Sequence, residues 1–309
     1  MTALIRPRRQ HRARWGQSPE CSFDAMPLPT VKTKSSSHLV GRGLRFFLLG
    51  WLPVGMAAFM SCAGMGELGG FNLVSEDEEL KLGDELSQEI ARQGELVQDT
   101  NVTGYVSDVG QRLVDVSMRP NYPYRFYVLK KEEVNAFAIP GGHMYIQTGL
   151  ILAAEREAEV AAVMAHELGH AEKRHSTQQL SRYYGLSLIT SVLLGKNPSQ
   201  TQQIVSGLLG NIAIMKYSRD AEREADYIAV HLLYRAGYDP LALADFFQKL
   251  KAMQDSRPGP LESLFLSHPM TEDRIAFVEE EVRQLVPKPP TRTDNGQFLR
   301  IQKLLKATG

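Results

Sequence analysis

Residues 162–175 read Ala-Val-Met-Ala-His-Glu-Leu-Gly-His-Ala-Glu-Lys-Arg-His, inside a stretch from about Ala153 to His175 with a helical pattern. An α-helix turns about 100° per residue, so residues four apart lie about 40° apart on one face, one turn along. His166 and His170 stand at that spacing, and two imidazoles so placed can grip one Zn²⁺ from the same side. Glu167, beside the first of them, can reach water on such an ion without ligating it. A catalytic ion also needs a third protein ligand and one open position. The rest of the chain must therefore fold back onto this helix.

His175 is the nearest candidate, but on a straight helix it lies about 140° round from His170. It reads as a surface residue or one that backs a ligand. The run Ser218-Arg219-Asp220-Ala221-Glu222-Arg223-Glu224-Ala225-Asp226 is better placed. Glu222 and Asp226 share a helical face, and Glu224 points elsewhere. Taken alone, the run is equally a solvated charged helix with pairs one turn apart. Beside H-E-x-x-H it reads as Glu222 offered to the metal and Asp226 offered to a ligand histidine.

Around these motifs the pattern is mainly helical. Ser75 is an N-cap before Glu76-Asp77-Glu78, and Leu82, Leu86 and Ile90 recur every four residues behind it. Tyr105, Val109 and Leu113 repeat the spacing, before Pro120 and Pro123. Tyr124–Leu129, Val134–Ile139 and Met144–Thr148 read as strands, with Pro140-Gly141-Gly142 as a turn. Three short strands joined tightly predict a small antiparallel sheet. Tyr183–Met215 reads as two buried or groove-lining helices broken at Gly195–Pro198, each too short in apolar residues to span a bilayer. Helices follow over Arg219–Ala236, Leu241–Met253 and Thr271–Leu285. Residues 287–309 form a Pro-rich linker and a short amphipathic helix, Phe298–Leu305. The fold class is α+β, mainly helical, with the sheet beside the motif helix.

Charge is uneven. Residues 1–62 carry nine Arg or Lys against two acidic residues, while the whole chain is neutral. A basic leader before a mildly acidic body points to targeting and excludes a nucleic-acid partner. Both cysteines, Cys21 and Cys62, lie in that leader, so the body has no thiolate metal site and no disulfide framework. Residues 1–38 are Arg- and Pro-rich and read as disordered. Arg42 and Arg45 then precede an uncharged run, Phe46–Met60, of signal-peptide length. Ser61-Cys62 after it resembles a bacterial lipoprotein box. Residues 39–61 are thus a signal peptide, Cys62 is the lipidated residue, and 62–75 are a tether. Ala63 after the cysteine favours the outer membrane, with the chain facing the periplasm.

His166-Glu167-Leu168-Gly169-His170, followed some fifty residues later by the Ser218–Asp226 run, resembles the zinc endopeptidase family of the heat-shock protease HtpX and the CAAX prenyl proteases, metallopeptidase family 48. Asn135–Gly142 and Ser267-His268-Pro269 with Arg274-Ile275 resemble that family too. The likeness covers roughly residues 76–286, and is strongest to the short periplasmic lipoprotein members such as LoiP and to the protease domain of BepA.

The resemblance implies a zincin-like domain with one Zn²⁺ per chain, held by His166, His170 and Glu222. It implies Glu167 as general base and Asp226 as support for a ligand. It implies a substrate edge around Asn135, Ala136, Gly142, His143 and Met144, with the Gly142–Thr148 strand bordering the cleft. His268 is implied to approach the metal, either to stabilise an oxyanion or to latch the open position. The expected activity is endopeptidase action on misfolded envelope proteins. The rival expectation is a latched, chaperone-like factor that binds them.

Overall fold

The computed structural model describes residues 72–93, 95–183, 204–209, 216–256, 259–269, 271–287, 290–292 and 296–308. The leader, the signal peptide, Cys62 and most of Tyr183–Met215 lie outside the described residues. Among the described residues no helix is long and apolar enough to cross a membrane.

Helix α1, Glu76–Arg92, starts at a capping box. The Ser75 side chain accepts from the Glu78 backbone, and the Glu78 carboxylate accepts from the Ser75 N–H at 2.8 Å. Its expected stripe of Leu82, Leu86 and Ile90 is buried. Helix α2, Thr100–Val114, is capped by Asp99 and buries Tyr105, Val109 and Leu113. Three strands follow: β1 Arg125–Leu129, β2 Ala136–Ile139 and β3 His143–Gln147. Short helix α3, Thr148–Ala153, leads into α4, Glu157–Glu172, which carries the histidine motif. Residues 175–183 and 204–209 are helical. Then come α5 Arg219–Ala236, α6 Ala242–Ser256, α7 Glu262–Ser267, α8 Glu272–Gln284 and α9 Gln297–Thr308.

The sheet is mixed, not antiparallel. Its order is β1-β3-β2. The β2–β3 hairpin is antiparallel, pairing Ala136 with Ile146 and Ile139 with His143. Strand β1 runs parallel to β3, from Arg125 beside His143 to Leu129 beside Gln147. The chain between β1 and β2 crosses over, so β3 inserts between strands that are neighbours in sequence. Alternation of apolar residues reports which face of a strand is buried, and the order in which short strands pair is set by their connections.

This order also moves the substrate edge. His143 and Met144 are in the central strand, paired on both sides, where no further strand can add, and Gly142 lies in the turn before them. His143 is stacked on Tyr127, with ring centroids 5.9 Å apart, and Met144 is in the core. Among the described residues, β2 pairs with a strand on one side only, and it packs against α4.

Helix α4 runs through the middle of the molecule, and from Glu159 to Glu172 it is buried throughout. Ala161, Ala162, Ala165 and Leu168 join one core with α2, β2, β3, α5 and α6. Burying each Leu or Val in such a core is worth roughly 1.5–3 kcal/mol. Helix α9 belongs to the same core through Phe298, Ile301 and Leu305.

Candidate metal centre

Helices α4 and α5 cross at Gly169. A methyl group there would lie 3.1 Å from both Cα and O of Ala225. This approach carries Glu222, one turn before Ala225, to the motif histidines. His166 Nε2 and His170 Nε2 are 3.0 Å apart, and Glu222 oxygens lie 3.6 and 3.5 Å from them. His268, just beyond α7, brings its Nδ1 to 2.9 Å from Glu222 Oε1 and 3.3 Å from His166 Nε2. The four residues are buried and each offers one donor atom to a common point, all within 4.8 Å of one another.

This set fits a metal ion. Ligand atoms about 2.0–2.1 Å from a tetrahedral ion such as zinc sit roughly 3.3 Å apart, close to the spacings observed. Charge points the same way. Among the described residues, Glu222, Asp226 and Glu167 face the guanidinium of Arg274, and a divalent cation would add positive charge among them. Burial disfavours a charged His166, yet Asp226 and Glu222 outweigh it and lift its pKa to about 9. Burial drives His170 well below the usual histidine range, with Glu222 offsetting only part. One protonated imidazole beside a neutral one is the arrangement a bound cation would replace.

Glu167 lies on the side of the cluster towards β2. Its Oε2 accepts from the Ala138 N–H at 3.1 Å, and its Oε1 is 3.5 Å from His268 Nε2. Burial raises its carboxyl pKa, and His268 and His166 partly counter that. Burial acts on Glu222 in the same direction, but His268 and Arg274 hold it well below the usual range.

A family model for peptidase family M48 matches residues 100–282. The chain belongs to peptidase family M48. Over 240 residues it is 30% identical to the beta-barrel assembly-enhancing protease of Yersinia pestis, covering 75% of this chain and 49% of that protein. It is 29% identical over 213 residues to the mitochondrial metalloendopeptidase OMA1 of Schizosaccharomyces pombe, covering 68% and 63%. Metalloprotease YcaL of Escherichia coli strain K12 is 27% identical over 212 residues, covering 65% and 82%. The chain spans about half the length of the assembly-enhancing proteases it matches.

Within this M48 domain the expected residues His166, Glu167, His170, Glu222, Asp226 and His268 come together. Asp226 Oδ1 lies 2.9 Å from His166 Nδ1, behind the ring. Asn135 and Ala136 sit at the start of β2, where Asn135 Nδ2 donates to Ser263 Oγ at 3.3 Å. Gly142 lies in the turn before β3, and His143 and Met144 lie in the central strand β3.

Arg274, Tyr217 and Ser176 adjoin the M48 site without a role expected from the sequence, and His175 takes the second of its two expected places, behind a ligand. Arg274 Nε and Nη2 each donate to Asp226 at 2.7 Å, and its Nη1 is 2.6 Å from Glu222. Tyr217 stacks on His170 with centroids 4.0 Å apart. Ser176 donates to the Ala138 carbonyl at 3.2 Å. His175 is buried behind His170 rather than exposed. Arg274 and Tyr217 adjoin or lie within quoted motifs, which was the available signal. Ser176 and His175 depend on how α4 ends.

Proposed function

We propose that this chain is a zinc-dependent endopeptidase that cleaves bacterial envelope proteins, misfolded ones in particular. The observation that carries the reading is the convergence of His166, His170 and Glu222 on one point with Glu167 beside it. Zn²⁺ held by those three side chains would supply a Lewis acid for the scissile carbonyl and lower the pKa of a water molecule. Glu167 takes the proton from the attacking water and passes it to the leaving amine. Its raised pKa suits a group that both accepts and returns a proton. The Ala138 N–H holds one Glu167 oxygen and leaves the other aimed at the cluster. Asp226 holds His166 from behind, which leaves Nε2 facing His170, Glu222 and His268, where it would hold the metal. An extended substrate would lie along the side of β2 away from β3, near Asn135 and Ala136 and short of Ala138, whose N–H and carbonyl are held by Glu167 and Ser176.

The catalytic unit is residues 76–286, and α9 completes its core. Lipid on Cys62 and the tether after it attach the chain to the outer membrane, facing the periplasm. Support for an envelope setting is the leader pattern and the name of the relatives, beta-barrel assembly-enhancing protease.

His268 favours a second reading of the resting state. Its Nδ1 occupies the fourth donor position of the cluster, which a hydrolase needs open. In that state the chain is latched, and it holds unfolded envelope proteins with little cleavage.

The test is zinc content of the purified chain with cleavage of an unfolded outer-membrane protein. About one zinc per chain is expected for wild type and Glu167→Gln. Cleavage by wild type or by His268→Ala is expected, and none when Glu167→Gln is added. Failure to take up zinc even after loading with excess metal would defeat the reading.

A further inference from the structure

Helix α4 does not continue through to His175. Lys173 keeps near-helical backbone angles, and Arg174 then takes φ 57°. Among the described residues no other non-glycine has positive φ. A side chain in the left-handed region costs about 1–2 kcal/mol and persists where its surroundings hold it. Here they do. Arg174 Nη2 donates to the Val74 carbonyl at 2.6 Å, and its Nε pairs with Glu79, which is 3% exposed. The start of α1 thus pins the turn that ends α4.

The turn redirects His175. A straight helix would carry it away from His170. Instead it is buried, and its Nδ1 lies 2.9 Å from His170 Nδ1. Its Nε2 lies 3.3 Å from Glu224 Oε2, and Glu224 also pairs with Lys173 Nζ at 2.7 Å. Two facing ring nitrogens need one donor and one acceptor. With His170 Nε2 turned to the cluster as an acceptor, its Nδ1 carries the proton. His175 Nδ1 then accepts, and His175 Nε2–H donates to the Glu224 carboxylate. Every proton in the row has a partner.

We propose that His175 is a positioning residue for the metal centre. It orients the His170 ring and selects the tautomer whose Nε2 can ligate, and Glu224 and the Arg174 turn hold it in place. The inference rests on the metal-site reading above. It assigns the long-range contact between α1 and Arg174 a role in metal binding.

The experiment measures zinc affinity of the whole chain by competition with a chromophoric chelator, beside the melting temperature of the zinc-free protein. His175→Leu removes the acceptor and is expected to weaken zinc binding about tenfold or more. His175→Asn, whose Oδ1 can stand in for Nδ1, is expected to recover most of that loss. Glu224→Gln lies at the surface and is expected to weaken binding a few-fold, with zinc-free melting unchanged. Wild-type affinity in His175→Leu, or an equal loss in His175→Asn, would overturn the inference alone. A wild-type chain that binds no zinc would overturn the metal reading and this inference with it.

Discussion

Gly169 of α4 sits against Ala225 of α5 so closely that an added methyl would meet its backbone at 3.1 Å. The contact sets how near Glu222 comes to His166 and His170. Gly169→Ala asks the neighbour to give by a few tenths of an ångström, against a helix-propensity gain of about 1 kcal/mol. Stability near wild type with zinc binding retained is expected. Gly169→Leu has no such room and should part the helices. Chelator competition is expected to show its zinc affinity lost, whereas retained affinity would mean Glu222 does not depend on this crossing.

Arg274 places one guanidinium between two buried carboxylates, those of Asp226 and Glu222. Removing the charge leaves both buried carboxylates with histidine partners alone. Arg274→Met should destabilise the zinc-free chain by about 3–5 kcal/mol, read from urea unfolding. Arg274→Lys should recover only part, because an ammonium cannot form the two-pronged contact to Asp226. Full recovery with Lys would reduce the role to charge alone.

His268 divides the two readings of the resting state. If it latches the site, His268→Ala keeps zinc and cleaves an unfolded substrate faster than wild type. A fall in cleavage of about a hundredfold would instead make it a donor to the developing oxyanion. Turnover of one fluorogenic substrate by both proteins decides the matter.

His143 gives the fold a defined acid sensitivity. Burial, then Arg125, lowers its pKa below the usual value, and Asp84 opposes them only in part. The unfolded chain therefore takes up this proton at a higher pH than the folded one does. The contribution to stability is complete above pH about 6.5 and is lost as the pH falls through the folded pKa. His143→Phe keeps a ring against Tyr127 without the titration. Its urea midpoint should fall less than that of wild type between pH 7 and 5.5. Parallel falls would place the acid sensitivity elsewhere.

Much of the helical framework was legible because amphipathic spacing is a local signal. The stripe of Leu82, Leu86 and Ile90, the Ser75 cap, and the end of α5 before Gly237 all follow from residues within one or two turns. The sheet was legible as three strands but not as a mixed sheet, since pairing is decided by a crossover between β1 and β2 that leaves no local pattern. His175 stays open in the sequence between the surface and the back of a ligand, because a continuous helix would turn it away from His170. The turn at Arg174 is held by Val74 and Glu79, about a hundred residues earlier in the chain.

The chemistry on offer is written in the local order of residues. His166, Glu167 and His170 stand at helical spacing, and Glu222 and Asp226 share one face of a later helix. Those relations are properties of the α-helix and hold before the chain folds. Tertiary structure alone decided how these helices meet: at Gly169, with β2 rather than β3 beside the cluster, and with His268 in the fourth donor position. Arg274 and His175 became supports of the site by the same route. Contacts between distant segments depend on which surfaces pack with the fewest voids and unpaired polar groups, a property of the whole chain that no short window of sequence contains.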